Sequence, residues 1–452
     1  MGRVMFSSAV RHLCCSTAVL LTTAAVADNR APEVELRDSL RGAALSYYSA
    51  ADLAAPTAGE TKKLWKKRMQ ELSAMLSDEA AAKEGFDWFR KTYNVQYKDG
   101  DQVENDGSQH QLFVQQKFET FRENVKQALK LNIKSDGKAV FGITRFMDLT
   151  AGEFRKMYKN GGKTFSDDQI ADMMQDVPEA VVPKASLLDS TSATSSRDWR
   201  KEGVVTPVKD QGQCGSCWAF STVETVESAV HLLDKSSGFI GAPQELVSCD
   251  HGMDFGCNGG LPTHAYKFLE KNGLEAESDY PYTSGTTKES GTCKMDPKKS
   301  EWKVTGYTRV AHGMRIFPWT VSRGEKAMKD YLLNKGPLSI GVDASAWQTY
   351  QQGILDAASC ESERIDHAVQ VVALEQSAAE KNGDAYWVVR NSWTTEWGEA
   401  GFIRLTTDEN TCLITGMATA ATVEKMDSSK DLMSWDQAVY LAKRKVEEEL
   451  HI

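Results

Sequence analysis

The chain has 452 residues, of which 41% are hydrophobic, and it carries a formal net charge of −10 at pH 7. This length suggests about three structural units with enough apolar residues for a sizeable core. The negative charge argues against nucleic acid or an anionic membrane surface as a partner.

Residues 1–27 have the pattern of a secretory signal peptide. Arg3 and Arg11 supply positive charge, and Ala25-Val26-Ala27 fits the small-residue rule for cleavage. The apolar stretch between them is too short and too polar to span a membrane, and the sequence shows no other candidate span. We therefore expect entry into the secretory pathway, ending in the extracellular space or in a lysosome- or vacuole-like compartment.

The region from residue 28 to about 187 contains no cysteine and is rich in charged residues and alanine. Apolar residues recur there at helical spacing in three stretches, which predicts helices at Leu64–Met75, Phe86–Tyr97 and His110–Asn132. Between Asn160 and Ser196 the composition turns to glycine, serine, threonine, aspartate and proline. Such a stretch cannot bury a core and is open to proteolysis. We predict a linker that is cut between about residues 185 and 197.

The run from Gln211 to Phe220 places Cys217 at the start of a predicted buried helix, Ser216–Leu233. The free N–H groups and the positive end of a helix favour a thiolate. The backbone N–H of Cys217 points to where an oxyanion could sit, and the side-chain amide of Gln211 could donate to the same place. The pattern indicates a nucleophile with an oxyanion hole beside it.

A thiolate nucleophile needs a base, and the base needs a group that orients it. His367 precedes the apolar run Ala368–Leu374, and Asn391 follows the apolar run Tyr386–Arg390; both runs predict strands. A lone cysteine at a helix start is more often packed or disulfide-bonded, and a lone histidine before a strand is more often a core residue. The combination with Gln211 and Asn391 favours catalysis.

The Cys-Gly-Ser-Cys-Trp run ending at Trp218, followed by His367 and Asn391 at about the family's spacing, resembles the papain-like cysteine peptidases. The closest resemblance is to their cathepsin L-like branch. It implies an α+β fold with a cleft between two lobes: a helical lobe containing Cys217 and a β-barrel-like lobe containing His367 and Asn391. It also implies an endopeptidase that needs no cofactor or metal.

The resemblance assigns a role to each residue of the predicted site. Cys217 would be the nucleophile, and His367 would be its ion-pair partner, general base and later general acid. Asn391 would orient the imidazole, Gln211 would complete the oxyanion hole, and Trp393 would shield the hydrogen bond between Asn391 and His367.

One residue departs from the family pattern. Thr394 stands where a glycine usually follows the Asn-Ser-Trp run. If that position has a positive φ, threonine would be strained there or the turn would differ. We expect a small adjustment without loss of activity.

The resemblance also implies substrate-binding positions. Gly259 and Gly260 resemble the glycine wall that pairs with an extended substrate. The principal specificity pocket would be lined by Leu261, Pro262, Gly341, Ala368 and Met417, which are all uncharged. The implied preference is a hydrophobic side chain two residues before the scissile bond, with arginine disfavoured. Plain core packing is the alternative explanation for these residues.

Nine cysteines are present, of which Cys14 and Cys15 lie in the segment expected to be removed. The odd number that remains implies one free thiol in a secreted chain. The resemblance pairs the other six as Cys214–Cys257, Cys249–Cys293 and Cys360–Cys412. A zinc site is disfavoured, because no second Cys-x-x-Cys pair accompanies Cys214 and Cys217.

Two motifs upstream resemble the family's inhibitory propeptide. In the first, Phe121, Asn124 and Asn132 match in type, whereas Phe113, Lys117 and Ala128 replace other residues; the second spans Gly142–Thr150, with Thr144 in place of an asparagine. The implied division is a propeptide over 28–187, with an inhibitor domain over about 85–158, and a catalytic domain over 188–424. Propeptides of this family block the cleft in the reverse direction of a substrate. We expect acid to release this one, because carboxylates such as Asp148 would have to stay ionised.

Residues 425–452 predict a C-terminal helical extension, since Ser434 and Gln437 form a capping-box pattern before apolar residues at helical spacing. It could dock on its own catalytic domain, bind a partner or sorting receptor, or be removed.

The predicted protein is a monomeric zymogen that acts on proteins and peptides and is inhibited by its own propeptide. Two other functions remain open at this point. The chain could be an unprocessed inhibitor or decoy of related peptidases, or a peptide ligase that resolves the same thioester with an amine.

Overall fold

The computed structural model describes residues 47–97, 107–181, 196–311, 318–360, 363–376 and 385–426. The predicted signal peptide lies outside these ranges, as does all but the first two residues of the C-terminal extension. Within them, no helix is both long and apolar enough to cross a membrane.

The region before residue 182 is mostly helical. Its elements are α1 (Ala50–Leu53), α2 (Ala58–Ser77), α3 (Glu79–Thr92), α4 (Gly107–Ser135), β1 (Ala139–Phe141), α5 (Ala151–Tyr158) and α6 (Asp167–Met174). Capping boxes begin three of these helices, with Thr57, Thr150 and Ser166 as the N-cap residues. The helix predicted to reach Tyr97 is wrong at its end, because Asn94 adopts a left-handed conformation that a helix cannot continue.

Helices α3 and α4 pack through aromatic side chains. The ring of Phe86 meets the rings of Phe118 and Phe121 edge-on, each with a centroid separation of 5.4 Å. At the end of α4, the side chain of Asn132 donates to Phe141 O at 2.7 Å and accepts from Phe141 N at 3.0 Å. These paired bonds satisfy a fully buried amide and join α4 to β1.

The helical lobe of the catalytic region comprises α7 (Cys217–Leu233), α8 (Pro243–Cys249), α9 (Pro262–Asn272) and the short α10 (Ser284–Thr287). Most side chains of α7 are buried, including small polar ones. Several of these return hydrogen bonds to carbonyls of the same helix, as Thr222 and Thr225 do. A helix buried on all sides holds its first residue in a defined place.

The other lobe contains α11 (Pro318–Asn334) and most of the strands. The strands are β2 (Arg197–Asp198), β3 (Leu274–Glu275), β4 (Ser300–Ala311), β5 (Leu338–Val342), β6 (Tyr350–Leu355), β7 (His367–Gln376), β8 (Ala385–Arg390), β9 (Phe402–Thr406) and β10 (Met417–Lys425). The sheet order is β1-β6-β9-β8-β7-β5-β10-β4-β3, and β2 pairs with β7. Strand β1 of the upstream region thus adds to the edge strand β6, antiparallel to it.

The pairing of β7 with β8 explains why two distant residues meet. The strands are antiparallel, with Gln370 opposite Arg390. The start of β7 therefore lies beside the end of β8. This register brings His367, the first residue of β7, next to Asn391, the residue after β8.

Three disulfide bonds link the same cysteines that the resemblance paired. They are Cys214–Cys257, Cys249–Cys293 and Cys360–Cys412, with Cα separations of 4.6, 4.7 and 5.3 Å. Loops of this length stabilise a fold by about 2–4 kcal/mol each in chain-entropy estimates. Cys217 is the free cysteine within the described ranges.

Candidate active site

Cys217 is the first residue of α7, and its side chain is fully buried. Its Sγ accepts a hydrogen bond of 3.4 Å from the backbone N–H of Ala368 in β7. The thiol therefore lies where the helical lobe meets the sheet. The N-terminus of the helix is directed at the same space.

His367 and Asn391 form a direct hydrogen bond of 2.8 Å between Nε2 and Oδ1. Asn391 Oδ1 also accepts from the backbone N–H of Ser392 at 2.8 Å. A carbonyl oxygen only accepts, so His367 carries its hydrogen on Nε2. The other ring nitrogen, Nδ1, is buried and has no hydrogen-bond partner among the described residues. The imidazole is thus held with a free lone pair on Nδ1.

Trp393 covers this pair. Its ring stacks on the His367 ring with centroids 4.8 Å apart and an interplanar angle of 24°. The indole is fully buried, and its Nε1–H donates to Tyr158 O at 2.7 Å. Exclusion of water by the indole strengthens the hydrogen bond between His367 and Asn391.

The amide of Gln211 is fixed from both ends. Its Oε1 accepts from Ser392 Oγ at 2.7 Å, and its Nε2 donates to Cys214 O at 2.9 Å. The same Nε2 lies 3.4 Å from the backbone oxygen of Lys159 in the upstream region. The amide predicted to bind an oxyanion therefore contacts a carbonyl of residues 158–161. These residues cross the predicted cleft and are called the crossing segment below.

That segment passes too close to the catalytic region for ordinary side chains. Asn160 donates its backbone N–H to Asp366 O at 3.1 Å, and its Oδ1 accepts from Gly260 N at 2.9 Å. Gly161 has φ +61°, and a Cβ there would lie 2.3 Å from the Asn258 carbonyl carbon. Glycine is therefore required at position 161 for steric reasons.

A buried ion pair joins the crossing segment to the residue before the histidine. Lys159 Nζ lies 2.7 Å from Asp366 Oδ2, and each side chain is only 3% exposed. Burial raises the pKa of Asp366, while the Lys159 ammonium acts in the opposite direction. The loss of either partner would leave an uncompensated buried charge.

Burial shifts the pKa values of the predicted nucleophile and base. Burial raises the pKa of Cys217 to about 12 and lowers the pKa of His367 to about 3. Both shifts disfavour the charged forms, because burial removes the water that would solvate a thiolate or an imidazolium. The thiolate–imidazolium pair stays a prediction for the uncovered site.

The predicted specificity residues come together through strand register. Gly341 in β5 lies opposite both Ala368 in β7 and Met417 in β10. Met417 joins Leu261 in a buried apolar cluster, and Pro262 begins α9 directly after Leu261.

Sequence reasoning missed two residues of the same cluster, Ile365 and Leu413. Ile365 lies two positions before His367. This proximity to the predicted base was the signal by which the sequence could have identified it. The upstream region contributes Ile170, Met174 and Val177 to this cluster, each at most 5% exposed. Helix α6 therefore shares a buried apolar cluster with two of the predicted specificity residues, Leu261 and Met417.

Two carboxyl groups of the inhibitor domain have pKa shifts in opposite directions. Burial raises the pKa of Asp148, which accepts a hydrogen bond from the Tyr97 hydroxyl at 3.1 Å. Partial burial also opposes ionisation of Glu153, but hydrogen bonds from Thr150 and Lys117 outweigh it, and the pKa of Glu153 is lowered. Asp148 therefore takes up its proton at a higher pH than an ordinary aspartate does. The expectation that acid releases the propeptide through such carboxylates stays a prediction.

The comparisons with known proteins agree with this geometry. A model of the papain family of cysteine proteases matches residues 193–422, and a model of the cathepsin propeptide inhibitor domain matches residues 86–154. The chain belongs to the papain family of cysteine proteases. The resemblance and the α+β fold expected from it are confirmed, and the protein is a cathepsin L-like cysteine endopeptidase zymogen.

Individual relatives cover most of the chain. Cysteine proteinase 1 of Dictyostelium discoideum is 34% identical over an alignment of 335 residues, and the match covers 70% of this chain and 88% of that protein. A cathepsin L-like proteinase of Phaedon cochleariae is 32% identical, over 67% of this chain and 85% of its own length. The solved structure of digestive procathepsin L2 proteinase from the larval midgut of Tenebrio molitor has 27% identity and a TM-score of 0.60, covering 75% of this chain and 99% of that one.

Thr394 has the positive φ that the family's glycine pattern suggested, at 67°. We predict that Thr394→Gly raises the free energy of unfolding by about 1 kcal/mol, because a β-branched residue is strained there. Loss of the 3.1 Å bond from Glu396 N to Thr394 Oγ1 reduces the gain. Thermal unfolding of the precursor measures the effect. Gly398→Ala is the opposite control, since a Cβ there would lie 2.5 Å from Phe402 O; a lower melting temperature for Thr394→Gly would contradict the strain.

The two carboxylates predict a pH dependence of the inhibitor domain. A carboxyl group whose pKa is lowered by folding stabilises the folded state when the pH is above its ordinary pKa, which is 4.5 for Glu153. This stabilisation is lost as the pH falls through the lowered pKa. We expect Glu153→Gln to lower the melting temperature of the inhibitor domain at pH 6 and to make that temperature less dependent on pH. Asp148→Asn should retain the wild-type stability at pH 6 or exceed it. Melting curves from pH 6 to 4 measure both effects. The same pH dependence in the two variants would contradict the opposite pKa shifts of Glu153 and Asp148.

Proposed function

We propose that Cys217, His367, Asn391 and Gln211 hydrolyse peptide bonds after the propeptide has left. The observation that carries this proposal is the 2.8 Å bond from His367 to Asn391, which leaves the buried Nδ1 without a hydrogen-bond partner among the described residues. Departure of the crossing segment would rehydrate the site. Both pKa values would then move back towards their ordinary ranges, and the ion pair could form.

The reaction would proceed through a thioester. His367 Nδ1 takes the proton of Cys217, and the thiolate attacks the peptide carbonyl carbon. The backbone N–H of Cys217 and Gln211 Nε2 stabilise the resulting oxyanion. His367 protonates the leaving amine as the C–N bond breaks. It then takes a proton from water, whose oxygen attacks the thioester and releases the carboxylic acid and the thiol.

The order of contacts along the crossing segment supports inhibition by a reversed backbone. Tyr158 contacts Trp393 first, and Asn160 and Gly161 then contact residues 258–260. In the family resemblance, the glycine wall binds substrate residues before the scissile bond. A substrate would therefore run from the glycine wall towards Trp393, opposite to this segment.

Cys217→Ala is expected to reduce peptide hydrolysis by roughly 10⁴-fold or more while leaving a folded precursor, because the nucleophile is lost without a change of packing. Gln211→Ala should reduce kcat by about 10²- to 10³-fold. A fluorogenic peptide assay after acid treatment with a reducing agent measures both.

Leu233→Ala, at the exposed far end of α7, is the matched control and should leave the rate unchanged. Full activity of Cys217→Ala would contradict the nucleophile assignment. An inactive wild type that inhibits another papain-like enzyme would favour the decoy function. Added amine acceptors that divert the product into new peptide bonds would favour the ligase.

We further propose a hydrophobic preference two residues before the scissile bond. The support is the chemistry of the predicted pocket: Leu261 and Met417 lie in one buried apolar cluster with Ile170, Met174 and Ile365. The predicted lining residues Leu261, Pro262, Gly341, Ala368 and Met417 are all uncharged. An arginine placed there would lose its hydration without gaining a partner.

Substrates with leucine or phenylalanine at this position should exceed the arginine analogue in kcat/KM by roughly 10- to 200-fold. Met417→Glu should reduce or reverse the ratio, because it places a carboxylate in the pocket. A preference of the wild type for arginine would contradict the proposal.

Secretion is proposed from the signal-peptide pattern of residues 1–27 and from the three disulfide bonds, which persist in oxidising compartments. Removal of the region up to about residue 187 would produce the mature enzyme. The cut would fall in the glycine-, serine- and proline-containing stretch before Asp198.

A further inference from the structure

Residues 47–77 precede the part of the chain that matches the inhibitor-domain model, which begins at residue 86. They therefore lie outside both regions that the family models explain. The segment nevertheless contacts the catalytic region and the inhibitor domain at once, away from the cleft.

Its first contact is an aromatic one. The side chain of Tyr48 is buried; its ring meets Phe402 of β9 edge-on at 5.6 Å, and its hydroxyl donates to Thr206 O at 2.5 Å. The hydroxyl of the neighbouring Tyr47 lies 3.3 Å from Nε2 of His231 in α7. The catalytic region thus has a recess that accepts a tyrosine and satisfies its hydroxyl.

The recess adjoins a buried polar network beneath the catalytic residues. Arg390 donates to Thr206 O at 2.8 Å and lies 3.3 Å from a carboxylate oxygen of Glu224. Arg390 directly precedes Asn391. The Tyr48 hydroxyl therefore shares its acceptor, Thr206 O, with the arginine that holds the end of β8.

The contacts continue along the segment. Arg404 donates to Pro56 O at 3.2 Å, and Arg68 of α2 donates to Gln351 Oε1 at 2.7 Å. Between them, Thr61 is only 2% exposed and packs against Gly353 of β6. One face of α2 is thus bound to β6, the strand to which β1 also adds.

The other face of α2 packs on the inhibitor domain. Trp65 Nε1 donates to Asn132 O at 2.8 Å, at the end of α4. Leu72 is 1% exposed, and the Met75 side chain packs against Gly85 at the centre of α3. Helix α2 therefore connects the inhibitor domain to the catalytic region.

An additional connection to the catalytic region would help to hold an inhibitor domain whose own propeptide motif is altered. Lys117 stands in place of the family's arginine, and its single ammonium contacts Asp148 O at 3.0 Å and Glu153 Oε1 at 3.2 Å. A lysine lacks the planar fork with which an arginine would hold both groups.

We propose that residues 47–77 form a clamp that fastens the inhibitor domain to the catalytic region independently of the cleft, with Tyr48 as its anchor. The recess between Thr206 and Phe402 is a binding site for a tyrosine side chain. Release of the propeptide then requires this anchor to leave as well as the segment at Cys217.

The test uses the full-length precursor carrying Cys217→Ala, in which the chain cannot process itself. Hydrogen–deuterium exchange of α2 is compared with and without Tyr48→Ala. The clamp predicts exchange faster by on the order of tenfold in residues 58–77, as expected when a buried aromatic anchor is truncated. Exchange in α7 should stay the same. Unchanged exchange in α2 overturns the proposal.

A second readout uses the precursor with Cys217 intact. Tyr48→Ala should gain activity severalfold faster at a given acidic pH, whereas the final activity should equal that of the wild type, because residue 48 lies outside the catalytic domain. Leu112→Ala, at a 63% exposed position of α4, is the matched control and should behave as wild type. Activation of Tyr48→Ala at the wild-type rate overturns the clamp. If no precursor gains activity, the proposed function fails, while the exchange data still decide the clamp.

Discussion

Desolvation of one thiol and one imidazole is the constraint on which the rest of the precursor depends. Cys217 and His367 are both fully buried beneath the segment around Lys159, and each pKa is displaced towards the neutral form. The helix N-terminus and the Asn391 bond favour the charged pair but cannot compensate for the missing water. In the proposed mechanism, the same architecture is inert when covered and becomes competent when water enters the site.

Covering such a site places demands on the covering segment. It must exclude water without offering a peptide bond in the productive direction, which Gly161 permits by bringing the backbone against residues 258–260. It must also satisfy the acidic group beside the histidine, which Lys159 does through its buried pair with Asp366. Aromatic residues of the inhibitor domain complete the cover, since Phe146 and Phe154 pack on Trp393. The tryptophan thus shields the His367–Asn391 bond and anchors the inhibitor.

Attachment of the propeptide is spread over several distant contacts. Helix α6 packs in an apolar cluster with Leu261 and Met417, β1 extends the sheet at β6, and α2 with Tyr48 binds the catalytic region elsewhere. Separate contacts of moderate strength favour a complex that is stable as long as the chain is intact. Acid acts on the inhibitor domain itself: the stabilisation from the ionised Glu153 is lost as the pH falls, whereas burial raises the pKa of Asp148.

The sequence by itself determined the family, the chemistry and the catalytic candidates. Cys217, His367 and Asn391 each stand at the boundary of a helix or strand, within a short motif that can be recognised from neighbouring residues alone. It also indicated the strain at Thr394, since a missing glycine is visible in a motif. Only the tertiary structure decided the direction in which the pKa values of Cys217 and Asp148 shift, because both depend on burial by residues far away in the chain. The packing of α6 near Leu261 and Met417, and that of Tyr48 in its recess, were likewise beyond prediction, since both depend on contacts between distant segments that no local pattern encodes.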